Sequence, residues 1–234
     1  MNEFHTIPTF SKDWWVYTTI VFFSLVTILY FFGKQKEVIK NSFAIVLSIF
    51  AFILVFSLQA YFIFSNSWTA SASLPLHLCS ISKILGAIIL LKFNQSIFEF
   101  VLLLGIGGAL QSIFTPQLEI PVSTFALLEY YMSHAMIILM PLYLLHVQGH
   151  RVRKNAWWKS FLIGIILLSI VGVINHFLNS NYIYLCTRPE VDNPLLIGPW
   201  PFYLSGFLVF GFMNISLFFL LFSWWGRKLD NQLH

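Results

Sequence analysis

Seven apolar stretches of about 18 to 24 residues divide this chain, and a helix of that length crosses a hydrocarbon core about 30 Å thick at about 1.5 Å per residue. Their approximate bounds are 15–32, 43–64, 74–91, 97–114, 125–146, 160–178 and 202–225. Polar connections and a short tail, 226–234, make up the remainder, so the expectation is one all-α, polytopic membrane domain over 1–234 with seven transmembrane helices. Only 9% of residues are charged and mean hydropathy is +0.80, which excludes an ordinary soluble domain. The first 14 residues lack a basic n-region, and no small-residue cleavage pattern follows the first apolar stretch. Helix one is therefore expected to stay attached.

Charge predicts the orientation. Lys34, Lys36, Lys40, Lys92, Arg151, Arg153, Lys154, Lys159, Arg227 and Lys228 fall on one side of the seven-helix arrangement, and only Lys12 and Arg188 on the other. By the positive-inside rule the N-terminus is outside and the C-terminus cytoplasmic, in a multi-pass protein of the cell membrane. The net charge of +4 then reflects topology and contact with anionic lipid heads, so membrane lipids are the expected partners and nucleic acid is not.

Against this background Leu74-Pro-Leu-His-Leu-Cys-Ser-Ile-Ser-Lys83 stands out, because it puts an imidazole, a thiol, hydroxyls and an ammonium at the start of an apolar helix. A charged residue inside the bilayer costs about 2.5–3.5 kcal/mol on insertion scales and usually faces a protein interior. Topology brings other polar groups to the same depth. Gln111 lies near the outer end of helix four, Glu129 and His134 in the outer half of helix five, and Asn175 and His176 in that of helix six. The inner half holds mainly Glu99 and Asn214. The outer connections 115–121 and 179–201 are long enough to cover the polar level.

Cys79, Ser82, Lys83 and Gly86 share one helical face by their i, i+3, i+4, i+7 spacing. His77 lies about 200° from Cys79 on an ideal helix, which makes His134, from another helix, the better base for the thiol. Each residue also has a structural reading. A buried cysteine commonly acts as a small hydrophobe, a buried histidine joins helices by hydrogen bonds, and Lys83 can pair with Glu129. Direct contact between Glu129 and His134 is disfavoured by about 140° of helical rotation. Cys79 and Cys186 both fall on the outer side, where a disulfide is permitted, but the depth of Cys79 argues against one. Arg188 is the cation of the last outer loop and suits a phosphate, with Glu190 and Asp192 as nearer acidic partners. HExxH, CxxC and nucleotide-binding glycine patterns are all missing, so neither metal nor cofactor is expected. Gly105-Ile-Gly-Gly108 sits inside an apolar helix, where close helix packing explains it.

Five separated motifs, in order, resemble the YwaF family of bacterial integral membrane proteins. They are Leu74-Pro-Leu-His-Leu-Cys-Ser-Ile-Ser82, Gly107-Gly-Ala-Leu-Gln-Ser-Ile-Phe-Thr-Pro116, Ser133-His134, Asn181-Tyr-Ile-Tyr-Leu185 with Arg188-Pro189, and Gly198-Pro-Trp-Pro201. More distantly the pattern is similar to a eukaryotic transmembrane acyltransferase that moves polyunsaturated acyl chains onto ether lysophospholipids and needs an intramembrane cysteine. Related intramembrane hydrolases cleave lipid esters with a threonine nucleophile and a histidine. The resemblance implies Cys79 as nucleophile and His134 as its histidine. His77, Lys83, Gln111, Glu129, Asn175 and Arg188 are then the candidates for holding substrate, with Gln111 or Asn175 donating to an oxyanion. The implied activity is phospholipid acyl transfer or lipid ester hydrolysis. Two other classes use the same residues: a small-solute or proton-coupled transporter built on Lys83, Glu129, His134 and His176, and a non-catalytic binding or assembly protein whose polar cluster only holds helices together.

Overall fold

The computed structural model describes residues 5–118, 123–188 and 198–231. The helices are α1 (Lys12–Gly33), α2 (Glu37–Phe64), α3 (Leu78–Leu91), α4 (Gln95–Phe100), α5 (Ile106–Phe114), α6 (Thr124–His146), α7 (Ala156–Leu178) and α8 (Tyr203–Asn231). A π-helical stretch, Val101–Gly105, joins α4 to α5, so the two form one span, Gln95–Phe114. Two-residue strands, β1 (His5–Thr6) and β2 (Gln117–Leu118), pair antiparallel. Six helices are long and apolar enough to cross a membrane, and Leu78–Leu91 is a shorter apolar helix. The chain is a multi-pass membrane protein.

Local sequence accounts for the helix ends. Ser11, Asn94 and Ser123 cap α1, α4 and α6 by accepting from backbone N–H groups of the first turn, and Asn179 ends α7 in the left-handed conformation. On α1 the buried residues Trp14, Thr18, Val21, Leu25 and Leu29 form one stripe, while Phe23, Val26 and Tyr30 are exposed. Apolar residues can cover the outside because the solvent there is lipid. Small residues bring α2 against α3: Ala44, Ala51 and Ala87 are buried, and Ser48 donates to the carbonyl of Ala87 at 2.8 Å.

Helix α6 is the hub, packing on α1, α2, α3 and α5. Helices α7 and α8 pack on each other and on the opposite flank of the Gln95–Phe114 span, and α8 meets α6 at few positions. Space is left between these two groups of helices. At the opposite end of the bundle from α3's start, buried Glu99 receives Arg153 Nε at 3.0 Å and Nη2 at 2.7 Å, and the backbone N–H of Arg153 at 2.8 Å. Glu99 raises the pKa of the Arg153 guanidinium, and the pair ties α4 to the connection before α7.

Several bounds depart from the sequence reading. Helix α3 begins at Leu78, not Leu74; Pro75 disfavours helical backbone at Leu74. Residues 74–77 are non-helical, and at about 1.5 Å per residue the 14 residues of α3 span only about 21 Å. Helix α2 begins at Glu37, and α8 runs on to Asn231, so the stretch after Gly226 continues a helix instead of forming a separate tail. Residues 1–4, 119–122, 189–197 and 232–234 lie outside the described residues, among them Glu190 and Asp192, the acids considered for Arg188.

Candidate active site

Non-helical backbone at membrane depth must find its hydrogen bonds in protein, and the segment before α3 does so. Tyr182 takes the backbone N–H of Leu74 on its hydroxyl at 2.9 Å and donates to the carbonyl of Ala70, also at 2.9 Å. Gln59 donates to the carbonyl of Ser73 at 2.8 Å. Tyr182 is itself fixed by Asn175, whose Nδ2 donates to Tyr182 O and whose Oδ1 accepts from Tyr182 N and from the Ser180 hydroxyl. His77, the N-cap residue of α3, accepts from the N–H of Ile183 and packs its ring on Tyr182 and Tyr184. Ile183 and Tyr184 have positive φ, an unfavourable backbone for a β-branched residue, and Tyr203 holds the turn by donating to the carbonyl of Tyr184 at 2.7 Å.

Behind this turn a cavity of about 610 Å³ fills the space between the two helix groups. Cys79, Lys83, Gln111, Glu129 and His134 all line it, as do His77 and, from the turn, Ile183 and Tyr184. The end away from the turn is formed mainly by apolar residues such as Leu104, Phe161 and Phe207, with Asn214 as a polar group among them.

Two polar links register α3 on its neighbours. Lys83 Nζ donates to Glu129 Oε1 at 3.1 Å and to Ser133 Oγ at 2.6 Å, with all three residues buried. Ser133 Oγ donates in turn to Glu129. Cys79 Sγ lies 3.8 Å from Ser112 Oγ on α5. Since the single Ser112 proton goes to the carbonyl of Gly108, the thiol is the donor in that contact. Cys79 and Lys83 are one turn apart on α3, so pairing Lys83 with α6 turns the thiol's face toward the same helix that carries His134.

His134 is oriented by backbone. Its Nδ1 lies 2.7 Å from the carbonyl oxygen of Tyr130, one turn earlier, and a carbonyl can only accept. Nδ1 therefore carries the proton, and the lone pair of the neutral ring sits on Nε2. Glu129, whose contact with His134 was doubtful on helical geometry, is committed to Lys83 and Ser133.

Not every sequence candidate reaches the cavity. Asn175 is buried in the turn and does not line it, which places it as a support of that turn and away from any oxyanion in the cavity. Arg188 is exposed beyond the turn, and His176 lies on the exposed face of α7. Cys186 is exposed and Cys79 half-buried. Sequence reasoning gave no role to Ser112, Tyr130 or Tyr182. Ser112 and Tyr130 adjoin Gln111 and Glu129 and could have been found by helical spacing from Gly108 and His134, but the reach of Tyr182 to residues 70–74 carries no sequence signal.

The profile of the TMEM164 family matches residues 9–222, a span that takes in every residue lining the cavity. No curated protein and no solved structure matches the chain. The motifs compared above with the YwaF family all lie inside the matched span, and that narrower likeness rests on the motifs alone. A match that runs through all six membrane-length helices and the short α3 makes the chain a member of the TMEM164 family.

Proposed function

We propose that this protein is a cysteine-dependent lipid acyl-transfer enzyme of the cell membrane, with Cys79 as nucleophile and His134 as general acid and base. The observation that carries the reading is that both residues, from different helices, line one cavity, with Lys83, Gln111 and Glu129 among its polar residues and Leu104, Phe161 and Phe207 among its apolar ones. On the orientation set by the basic residues, N-terminus outside, the start of α3 falls in the outer leaflet half, where lipid ester groups lie.

The chemistry follows from the groups present. The thiol proton passes to His134 Nε2, and the thiolate sulfur bonds to the carbonyl carbon of a lipid ester. The first-turn N–H groups of α3 have no acceptor within the helix, and a helix N-terminus favours negative charge, so these groups and Gln111 are placed to stabilise the oxyanion. Collapse breaks the carbon–oxygen bond, and Nε2 returns the proton to the departing lysolipid oxygen. A second lysolipid hydroxyl, or water, then loses its proton to Nε2 and attacks the thioester. The new ester or free acid leaves, and the thiol is restored. Lys83, paired with Glu129, holds α3 in register and takes no proton in this sequence.

The test is purified protein in nanodiscs given an isotopically labelled diacyl phospholipid and a lysophospholipid. The expected result is a hydroxylamine-sensitive acyl adduct on Cys79 and label in new diacyl lipid, abolished by Cys79→Ala and reduced about 10²–10⁴-fold by His134→Gln. Equal turnover by wild type and Cys79→Ala refutes the proposal.

A further inference from the structure

The far end of the cavity is a second feature with its own logic. Leu104 stands at its centre, and Phe161, Gly164 and Ile165 of α7 face Phe207, Leu208 and Gly211 of α8 around it. Two of these residues, Ile165 and Leu208, line the cavity yet are 37% and 39% exposed, on helices that protein covers sparsely. The wall between α7 and α8 is therefore thin at this level, and what lies outside it is hydrocarbon.

The glycines distinguish space from packing. At Gly107 an added Cβ would come within 1.9 Å of Asn214 Oδ1, and at Gly86 within 2.6 Å of Met140 Cε, so close helix approach explains both. At Gly211 the same atom would meet only Leu104 Cδ1, at 4.0 Å, and at Gly164 only Leu104 Cδ2, at 3.4 Å. Packing does not require glycine at these two positions. Their bareness instead leaves the cavity wide on either side of Leu104.

We infer that this end is a lateral slot for one acyl chain of a bilayer phospholipid, entered between α7 and α8, and that Gly164 and Gly211 set the chain length it accepts. The occupant follows from the setting. A cavity within membrane spans, apolar except for Asn214 at one end and carrying Cys79 and Gln111 at the other, fits a molecule with a hydrocarbon tail and an ester at its head. A tail arriving sideways from the bilayer never has to cross water. The inference rests on the acyl-transfer reading for its chemistry but not for its binding.

The experiment separates the two. Nanodiscs are loaded with phosphatidylcholine carrying a diazirine in mid-chain, irradiated, and the labelled residues mapped by mass spectrometry for wild type, Gly211→Ala and Gly211→Leu. The slot predicts label on Leu104, Phe161 and Phe207 in wild type, weakened in Gly211→Ala and lost in Gly211→Leu, with the label on lipid-facing Val173 and Phe212 unchanged as the folding control. In the transfer assay, Gly211→Leu then disfavours the longest chains about tenfold or more relative to shorter ones. Label confined to lipid-facing residues in every variant overturns the slot, as does an acyl–Cys79 adduct whose chain-length profile ignores both substitutions. Slot labelling without any adduct leaves the slot standing and removes the acyl-transfer reading.

Discussion

Replacing Lys83 with Met leaves a buried carboxylate with the Ser133 hydroxyl as its one remaining hydrogen-bond partner among the described residues. Both side chains of the pair are nearly covered, 5% and 9% exposed, and their charged atoms are 3.1 Å apart. At an effective dielectric of 20, unit charges at about 4 Å attract by about 4 kcal/mol. Removing one partner of a buried pair costs about 3–5 kcal/mol, because the survivor's desolvation is no longer offset. Lys83→Met should therefore destabilise by about 3 kcal/mol, the low end, since Ser133 still donates to Glu129. Lys83→Met combined with Glu129→Gln should recover most of that loss, giving a coupling of about 2 kcal/mol or more in a double-mutant cycle. The assay is SDS-driven unfolding from mixed micelles, followed by tryptophan fluorescence. Polar contacts inside membrane proteins average only about 0.6 kcal/mol by the same kind of cycle. A coupling near that figure would refute the argument that this charge pair fixes α3 against α6, and with it the account of how Cys79 is aimed.

Asn175→Ala removes three buried hydrogen bonds, two to the backbone of Tyr182 and one to Ser180. The expected loss is about 2–3 kcal/mol in the same unfolding assay, with faster amide exchange at residues 180–185. His150, half-buried in the connection after α6 with its ring stacked on Phe93 at 3.7 Å, has its pKa lowered first by burial and then by the charge of Arg151. Below its ordinary value of 6.5 the unfolded chain binds more protons than the native one, so this contribution to stability is complete above that pH and declines as pH falls through it. An NMR titration should find the His150 midpoint below 6.5 and moving upward in Arg151→Gln; a midpoint unmoved by that change rules out the charge of Arg151 as a cause.

How much of this was readable beforehand depends on the kind of signal. Helix existence came from apolar length, and the inner stripe of α1 from its spacing. The convergence of Cys79, Lys83, Gln111, Glu129 and His134 was legible by counting residues down alternating helices, because depth is nearly one-dimensional in a bundle. Lateral arrangement is not. Nothing in the pattern tells that α8 stays clear of α6, which is what opens the cavity, or that Ser112 sits beside Cys79. Asn175 illustrates a subtler limit. Its depth was right, but its partners are the turn five to seven residues later, and that local demand used up the side chain. The apolar run points to a start at Leu74, and the one local signal against it is Pro75, which disfavours helical backbone at the residue before it.

That late start has a chemical consequence. Were α3 to begin at Leu74, as the apolar run implies, the N–H of Cys79 would lie in the second turn and be taken by the carbonyl of Pro75. With Leu78 as the first helical residue, Cys79 is second, in the turn whose N–H groups have no acceptor within the helix. The same choice leaves residues 74–77 non-helical at membrane depth, which lipid would not tolerate. Tyr182 takes the N–H of Leu74, Gln59 donates to Ser73 just before that stretch, Asn175 holds Tyr182, and a strained turn at Ile183–Tyr184 brings His77 its partner. These residues surround the start of α3, and each supports a helix short enough to put its first turn at the thiol. A structural role for Cys79 alone would explain none of that arrangement, since a small buried hydrophobe packs as well in a second turn as in a first.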